Sequence, residues 1–239
     1  VISIAAAVHV GILVLEKDLG AALIYFVTYL MMLYVATMKL RYLAAGAFAG
    51  TAASVVAYQL VAHVRVRVAA WQDPWSNMNQ GGYQICQSLF AIGTGGLFGM
   101  GLGQGMPKSV PVVESDFIFS AIAEEMGVIF CIFLILIYIS SFIMFVNIAL
   151  KMKKNFYKLC AFGLSVVLIF QVFLSIGGVT KFIPSTGVTL PLISYGGSSI
   201  ITTIVIFSII QGMYVRNRRE EVTTNEEQAA INRKSGKRQ

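Results

Sequence analysis

Between Glu125 and Lys151 the chain carries no charged residue, and these 25 positions would form about 37 Å of helix at ~1.5 Å per residue. That length crosses the roughly 30 Å hydrocarbon core of a bilayer, so the run reads as a transmembrane helix. The residues ahead of it, VVESDFIFSAIAEEMG (112–127), carry an acid from watery loop into apolar helix, with Asp116 at the boundary. An aspartate there can cap the helix by accepting from its first free N–H groups. It can also serve as a base held at the membrane surface for a substrate arriving from water. Glu124 and Glu125 lie deeper, where an acid is costly and needs a partner or a wet cavity. On an ideal helix Glu124 falls about 12 Å below Asp116 and about 80° round, with Glu125 on the opposite side. The two therefore should not flank one small cavity, and at least one should pair with a cation or backbone group of another helix.

Apolar runs alternating with short polar links recur along the 239 residues, 57% of them hydrophobic and 12% charged, which is the composition of an all-α polytopic membrane protein. Six spans are expected: 1–15, 19–38, 42–62, 126–150, 159–180, and a last one ending at Arg216, Arg218 and Arg219. The chain opens on Val1 inside an apolar run, with no initiator Met or basic region, and so reads as a fragment, not a signal peptide. Residues 1–219 form the expected transmembrane domain, with a large loop over 63–116. The tail, 220–239, mixes Glu with Lys and Arg, has little to bury, and is expected to be disordered. Cys86, Cys131 and Cys160 lack CxxC spacing, which suggests neither a zinc site nor a disulfide framework. The net charge of +7 lies in clusters between spans and in the tail, a pattern for anionic lipid and not for nucleic acid.

Those clusters also set an orientation, because Lys and Arg near span ends favour the cytoplasm. Lys39, Arg41, Lys151, Lys153, Lys154, Lys158, Arg216, Arg218 and Arg219 outnumber Lys17, Arg65, Arg67, Lys108 and Lys181 on the opposite face. The first group is expected inside with the C-terminus, and the loop carrying Asp116 outside. Residues 85–103 are apolar enough to suggest another crossing, but their glycines make a weak helix, and a crossing would put the Lys39 and Lys151 clusters on opposite sides. A re-entrant or interfacial loop is expected instead, packed on protein or lining a wet cavity. The same glycines lack the strand-turn-helix setting and the following GK[ST] of a nucleotide loop. Arg65 and Arg67 directly follow a span, where they either snorkel to lipid phosphates or bind an anionic substrate.

Four blocks resemble one family, the SEDS proteins (RodA, FtsW and SpoVE), membrane glycosyltransferases that polymerise peptidoglycan. EKDLGA, with Asp18, is like the family's QPDLGT. The run from Pro111 through Asp116 to Gly127 is like P-x-x-x-x-D-F-I-F-x-x-I-x-E-E-x-G. PSTGVTLPLISYGGSS, with Ser194, is like P-x-T-G-x-x-L-P-x-I-S-Y-G-G-S-S, and a fourth block runs from Arg65 through Asp73-Pro74 to Gly82-Tyr83-Gln84. The family has ten spans, so the resemblance implies the C-terminal six. Glu16-Lys17 replaces the usual Gln-Pro, Ser175 stands where Asn is common and Lys181 where Gly is frequent.

By this resemblance Asp116 takes the position of the essential catalytic aspartate, which displaces the simple cap. Arg65, Arg67, Lys108, Gln84 and Ser194 are the implied substrate-binding residues, and Glu125 and Asp18 the supporting ones. The implied substrate is lipid II, an undecaprenyl-pyrophosphate-linked disaccharide peptide, polymerised with inversion at the outer face of the bacterial cytoplasmic membrane. The implied partners are a class B penicillin-binding protein and other divisome or elongasome membrane proteins. No cofactor is called for, although Mg²⁺ or Mn²⁺ bridging Asp116 and pyrophosphate stays open with no ligand cluster marking it. Two other classes are weighed: a lipid II flippase, which usually shows midplane charges or broken, repeated helices, and a scaffold that activates the penicillin-binding protein. The residues do not separate division, elongation and sporulation.

Overall fold

A computed structural model describes residues 8, 9, 11–13, 16 and 18–236. Seven α-helices order this stretch: α1 (Leu19–Thr37), α2 (Leu40–Leu60), α3 (Ala62–Gln72), α4 (Gly82–Gly95), α5 (Ile118–Lys151), α6 (Asn155–Val179) and α7 (Gly197–Gly236). Short 3₁₀ turns stand at Met78–Gln80 and Pro107–Ser109, and no strand occurs among the described residues. Helices α1, α2, α5, α6 and the Gly197–Thr223 part of α7 are long and apolar enough to cross a membrane. They correspond to five of the six expected spans. The first, over 1–15, lies largely outside the described residues.

The core forms where α4, α5 and α6 meet, with Ala91, Phe117, Ala123, Leu134, Tyr138, Val172 and Leu190 all buried. Helix α1 packs on α6, where Gly163 lets the Met32 sulfur approach to a distance that a side chain would forbid. Helix α2 buries no residue and touches α1 through Gly46 against Leu30 and Gly50 against Phe26.

One end of the bundle gathers Asp18, α3, α4, the loop to Asp116 and the link 180–196. The Trp71 indole N–H donates to the Lys181 carbonyl at 3.1 Å, and the Tyr195 N–H to the Glu114 carbonyl at 2.7 Å. At the opposite end Arg216 donates to the Tyr157 hydroxyl at 2.7 Å and Asn217 to the Lys151 carbonyl at 3.3 Å. The links at 151–158 and 216–219 thus share one end, as the charge grouping expects.

Two expectations change. Residues 85–103 do not form a loop throughout, because α4 is helical to Gly95. At 14 residues it spans only about 21 Å, too short to cross, and Gly96, Gly99, Gly101 and Gly103 then take positive φ. Past Arg219, where disorder was expected, α7 stays helical through Gly236, supported at its start by an Arg216–Glu220 pair at 3.2 Å, one helical turn apart.

Helix α5 is the expected long span, but it is broken. Gly127 has φ 81° and ψ 172°, which interrupts the helical ladder. The loop after α4 fills the gap: Met100 and Gly101 donate to the carbonyls of Glu124 and Glu125, while Val128 and Ile129 donate to those of Gly96 and Leu97. The ladder therefore detours through another segment, which supplies partners for these backbone groups at membrane depth. Close approach requires the glycines, since a Cβ on Gly99 would strike the Glu125 carbonyl and one on Gly127 the backbone of 97–99.

Candidate functional site

Asp116 lies in the turn before α5 and is partly exposed. It is not the cap: Phe117 holds that position and no side chain bonds to the first turn. Among the described residues Asp116 forms no ion pair. Its carboxylate instead faces Gly187, and Oδ2 lies 3.5 Å from the point where a Gly187 Cβ would stand. Arg67 Nη2 lies 3.9 Å from the same point. Acid and guanidinium thus both border the space beside the Gly187 Cα.

Arg67 reaches it from α3, and its other terminal nitrogen is already engaged. Nη1 donates to the carbonyls of Thr186 at 3.0 Å and Ser185 at 3.4 Å. Those carbonyls are fixed from behind by α1, because Gly20 has no side chain and lets the Thr186 carbonyl and Val188 lie against it. Asp18 accepts from the Ala21 N–H at 3.0 Å, so it caps the helix against which this link rests. Asp18 therefore touches α1 and not Asp116 or Arg67. The hydroxyl of Thr186 is buried without a partner.

Asp116 is positioned through its neighbours. The Ser194 hydroxyl donates to the Ser115 carbonyl at 2.5 Å and accepts from the Leu190 N–H at 2.8 Å. Ser194 is 2% exposed, and both of these bonds make its hydroxyl a clamp between the two segments. Below it the Tyr138 hydroxyl donates to the Pro191 carbonyl at 2.6 Å and Gln171 to the Thr189 carbonyl at 3.0 Å. The link 181–199 is therefore tied to α5 and α6, and Asp116 is tied to the link.

The remaining expected residues are not gathered here. Arg65 is exposed and makes no ion pair, and on a helix it sits two positions, about 200°, from Arg67, so the two do not share a face. Lys108 is exposed in the 3₁₀ turn after the glycine loop, and Gln84 is partly buried on α4. Nearby, hydrogen bonds from the Ser76 hydroxyl and N–H hold the Asp73 carboxyl below its ordinary value.

Glu124 and Glu125 do serve one segment, against the expectation from an ideal helix. Glu124 Oε1 accepts from the Met106 N–H at 3.0 Å and Glu125 Oε1 from the Gly103 N–H at 3.2 Å. The break at Gly127 lets the loop wrap both, and the partners are backbone amides, one of the two kinds expected, supplied by a loop and not by another helix. Glu124 is buried and its Oε2 has no partner. A broken helix would suit a transporter, but here the loop occupies the freed carbonyls of Glu124 and Glu125 that would otherwise coordinate an ion. Nor does an all-protein cation site surround Asp116. Among the described residues no three His, Cys, Asp or Glu side chains cluster, and the neighbour of Asp116 is itself a cation. Sequence reasoning missed Gly187, Gly20 and Gly127, each marked only by glycine where the chain might have used a larger residue.

A family model described as cell cycle protein, for FtsW, RodA and SpoVE, matches residues 1–219. The chain is 41% identical over 203 residues to peptidoglycan glycosyltransferase RodA of Mycobacterium bovis, covering 85% of this chain and 43% of that protein. It is 34% identical over 219 residues to a probable peptidoglycan glycosyltransferase FtsW of a Geobacter species, covering 88% and 58%. The chain therefore spans less than half the length of the mycobacterial relative. A chain from a study of how a peptidoglycan synthase complex coordinates polymerization and crosslinking superposes with a TM-score of 0.72 at 28% identity, covering 90% of this chain and 60% of that one.

Proposed function

The chain belongs to the FtsW/RodA/SpoVE family, and from that membership we propose that it carries the glycosyl-transfer site of a peptidoglycan polymerase acting on lipid II. The observation that carries the reading is that the Asp116 carboxylate, without an ion pair among the described residues, and the Arg67 guanidinium both border Gly187. An acid whose only purpose was structural would be capping α5 or bonded to that guanidinium.

Asp116 takes the proton of the 4-hydroxyl on the acceptor's terminal GlcNAc as that oxygen's lone pair forms a bond to C1 of the donor MurNAc. The bond from C1 to the phosphate oxygen breaks, and its electron pair departs on the lipid diphosphate. Attack opposite the leaving group inverts α to β. A glycosidase needs a second carboxyl group to protonate a poor leaving group. A diphosphate leaves as a stable anion, so a single carboxylate and a cation suffice, and Arg67 Nη2 is the cation placed to receive it. No step is assigned to a metal ion. The surplus of Lys and Arg at the other end supports an outward-facing site. The likeness to a synthase-complex chain supports a penicillin-binding protein partner.

The test uses the full-length protein with that partner on purified lipid II. Asp116→Asn should lose glycan synthesis while the pair still assembles, and undiminished glycan from this variant overturns the reading.

A further inference from the structure

The proposed chemistry needs the acid and the guanidinium to stay apart with room between them, and one residue decides whether they do. Gly187 is exposed, adopts φ +74°, and stands where its missing Cβ would lie 3.5 Å from Asp116 Oδ2 and 3.9 Å from Arg67 Nη2. The guanidinium and the backbone leading to the acid are both held. Nη1 holds Arg67 on the carbonyls of Ser185 and Thr186, and Ser194 and Tyr195 hold the backbone of 114–115 just ahead of Asp116. A positive φ alone would explain a glycine by backbone freedom. Its two charged neighbours give a second reason.

Resting on the reading of Asp116 as the base, we propose that Gly187 is a positioning residue: its bare Cα keeps open the seat in which the reacting oxygens lie, a sugar hydroxyl against Asp116 and a phosphate oxygen against Arg67. The backbone of 185–187 therefore does two things at once. Its carbonyls aim the guanidinium, and its lack of a side chain leaves that guanidinium something to aim at. A methyl group there displaces a reacting oxygen from one partner or the other, and a displacement of about 1 Å costs on the order of a hundredfold in rate. Lipid II is held mainly by its other parts, so kcat falls further than KM rises.

Backbone strain must be separated from filling of the seat, and the chain supplies its own control. Gly103 has nearly the same φ, +72°, with nothing within 4 Å of its Cβ position. In the full-length protein with its partner, Gly187→Ala should polymerise lipid II at least about tenfold more slowly, while Gly103→Ala, at nearly the same φ, stays near wild type. Equal activity of the two alanine variants, whether high or low, overturns the proposal. Gly187→Asn adds a second ordering. Asparagine tolerates left-handed backbone better than alanine but occupies more of the seat. Activity falling from Gly to Ala to Asn supports a filled seat. Asn outperforming Ala indicates strain and overturns it. The parent reading is judged separately by Asp116→Asn: glycan synthesis surviving in that variant removes the base whatever Gly187 does.

Discussion

The hydroxyl of Ser194 donates to the carbonyl of Ser115, the residue immediately before Asp116, from a position only 2% exposed to solvent. The same oxygen accepts from the Leu190 N–H, so one side chain joins two segments that 79 residues of chain separate. Ser194→Ala leaves that N–H and that carbonyl buried without partners, which costs about 1–3 kcal/mol. Lipid II polymerisation should fall through kcat with KM little changed, and the thermal midpoint should drop by several degrees. An unchanged midpoint and unchanged kcat in this variant would show that Ser194 does not hold the acid in place.

Arg67 and Arg65 should behave differently although they are two residues apart. Arg67 uses Nη1 on two carbonyls while Nη2 faces the Gly187 space, a division that a lysine with one nitrogen cannot reproduce. Arg67→Lys should cost at least about tenfold in glycan synthesis, in the range of one lost charge-assisted contact of roughly 1.5–3 kcal/mol. Arg65→Lys, on an exposed side chain without an ion pair, should stay within about twofold. Matching losses in a side-by-side polymerisation assay would contradict the placement.

Gly127→Ala should be among the most disruptive single substitutions in the chain. It forces alanine into φ 81°, ψ 172°, a region essentially reserved for glycine, at about 1–3 kcal/mol on its own, and drives the new methyl into the backbone of the glycine loop at 97–99. We expect loss of monodisperse protein or a fall of more than about 3 kcal/mol in stability, read by size exclusion and thermal unfolding in detergent. Normal behaviour would mean that α5 passes Gly127 unbroken.

Glu124 and Glu125 offer a graded comparison. Glu124→Ala removes the acceptor for the Met106 N–H from a buried position and should cost about 2–4 kcal/mol. Glu124→Gln keeps an acceptor and should be milder, and Glu125→Ala, at a less buried site, milder still. Limited proteolysis of residues 96–106 should rise in the same order.

Much of this architecture is written into the residues one at a time. The 25 uncharged positions before Lys151 demand a crossing, and Asp116 ahead of them marks the mouth of the helix. What is harder to see is whatever depends on an interrupted period. Gly127 follows Glu-Glu-Met within an otherwise helical pattern, and a single glycine there is compatible with either a continuous or a broken helix. The ideal-helix geometry that placed Glu124 and Glu125 on opposite sides did not include a loop able to wrap both. Arg65 and Arg67 look like a pair when read along the chain, and only once α3 is known to be a helix do they part by over half a turn. Gly187 sits in a Pro/Ser/Thr-rich link where a glycine needs no explanation until its neighbours are known.

The exchange of hydrogen bonds between α5 and the segment after α4 has a consequence for how this region can vary. Gly96, Leu97, Met100 and Gly101 each meet a fixed counterpart across the interruption at Gly127, in register. Inserting or deleting one residue in that stretch would shift every later donor past its acceptor. The stretch can change in side chains but not in length, whereas ordinary surface connections tolerate extra residues readily.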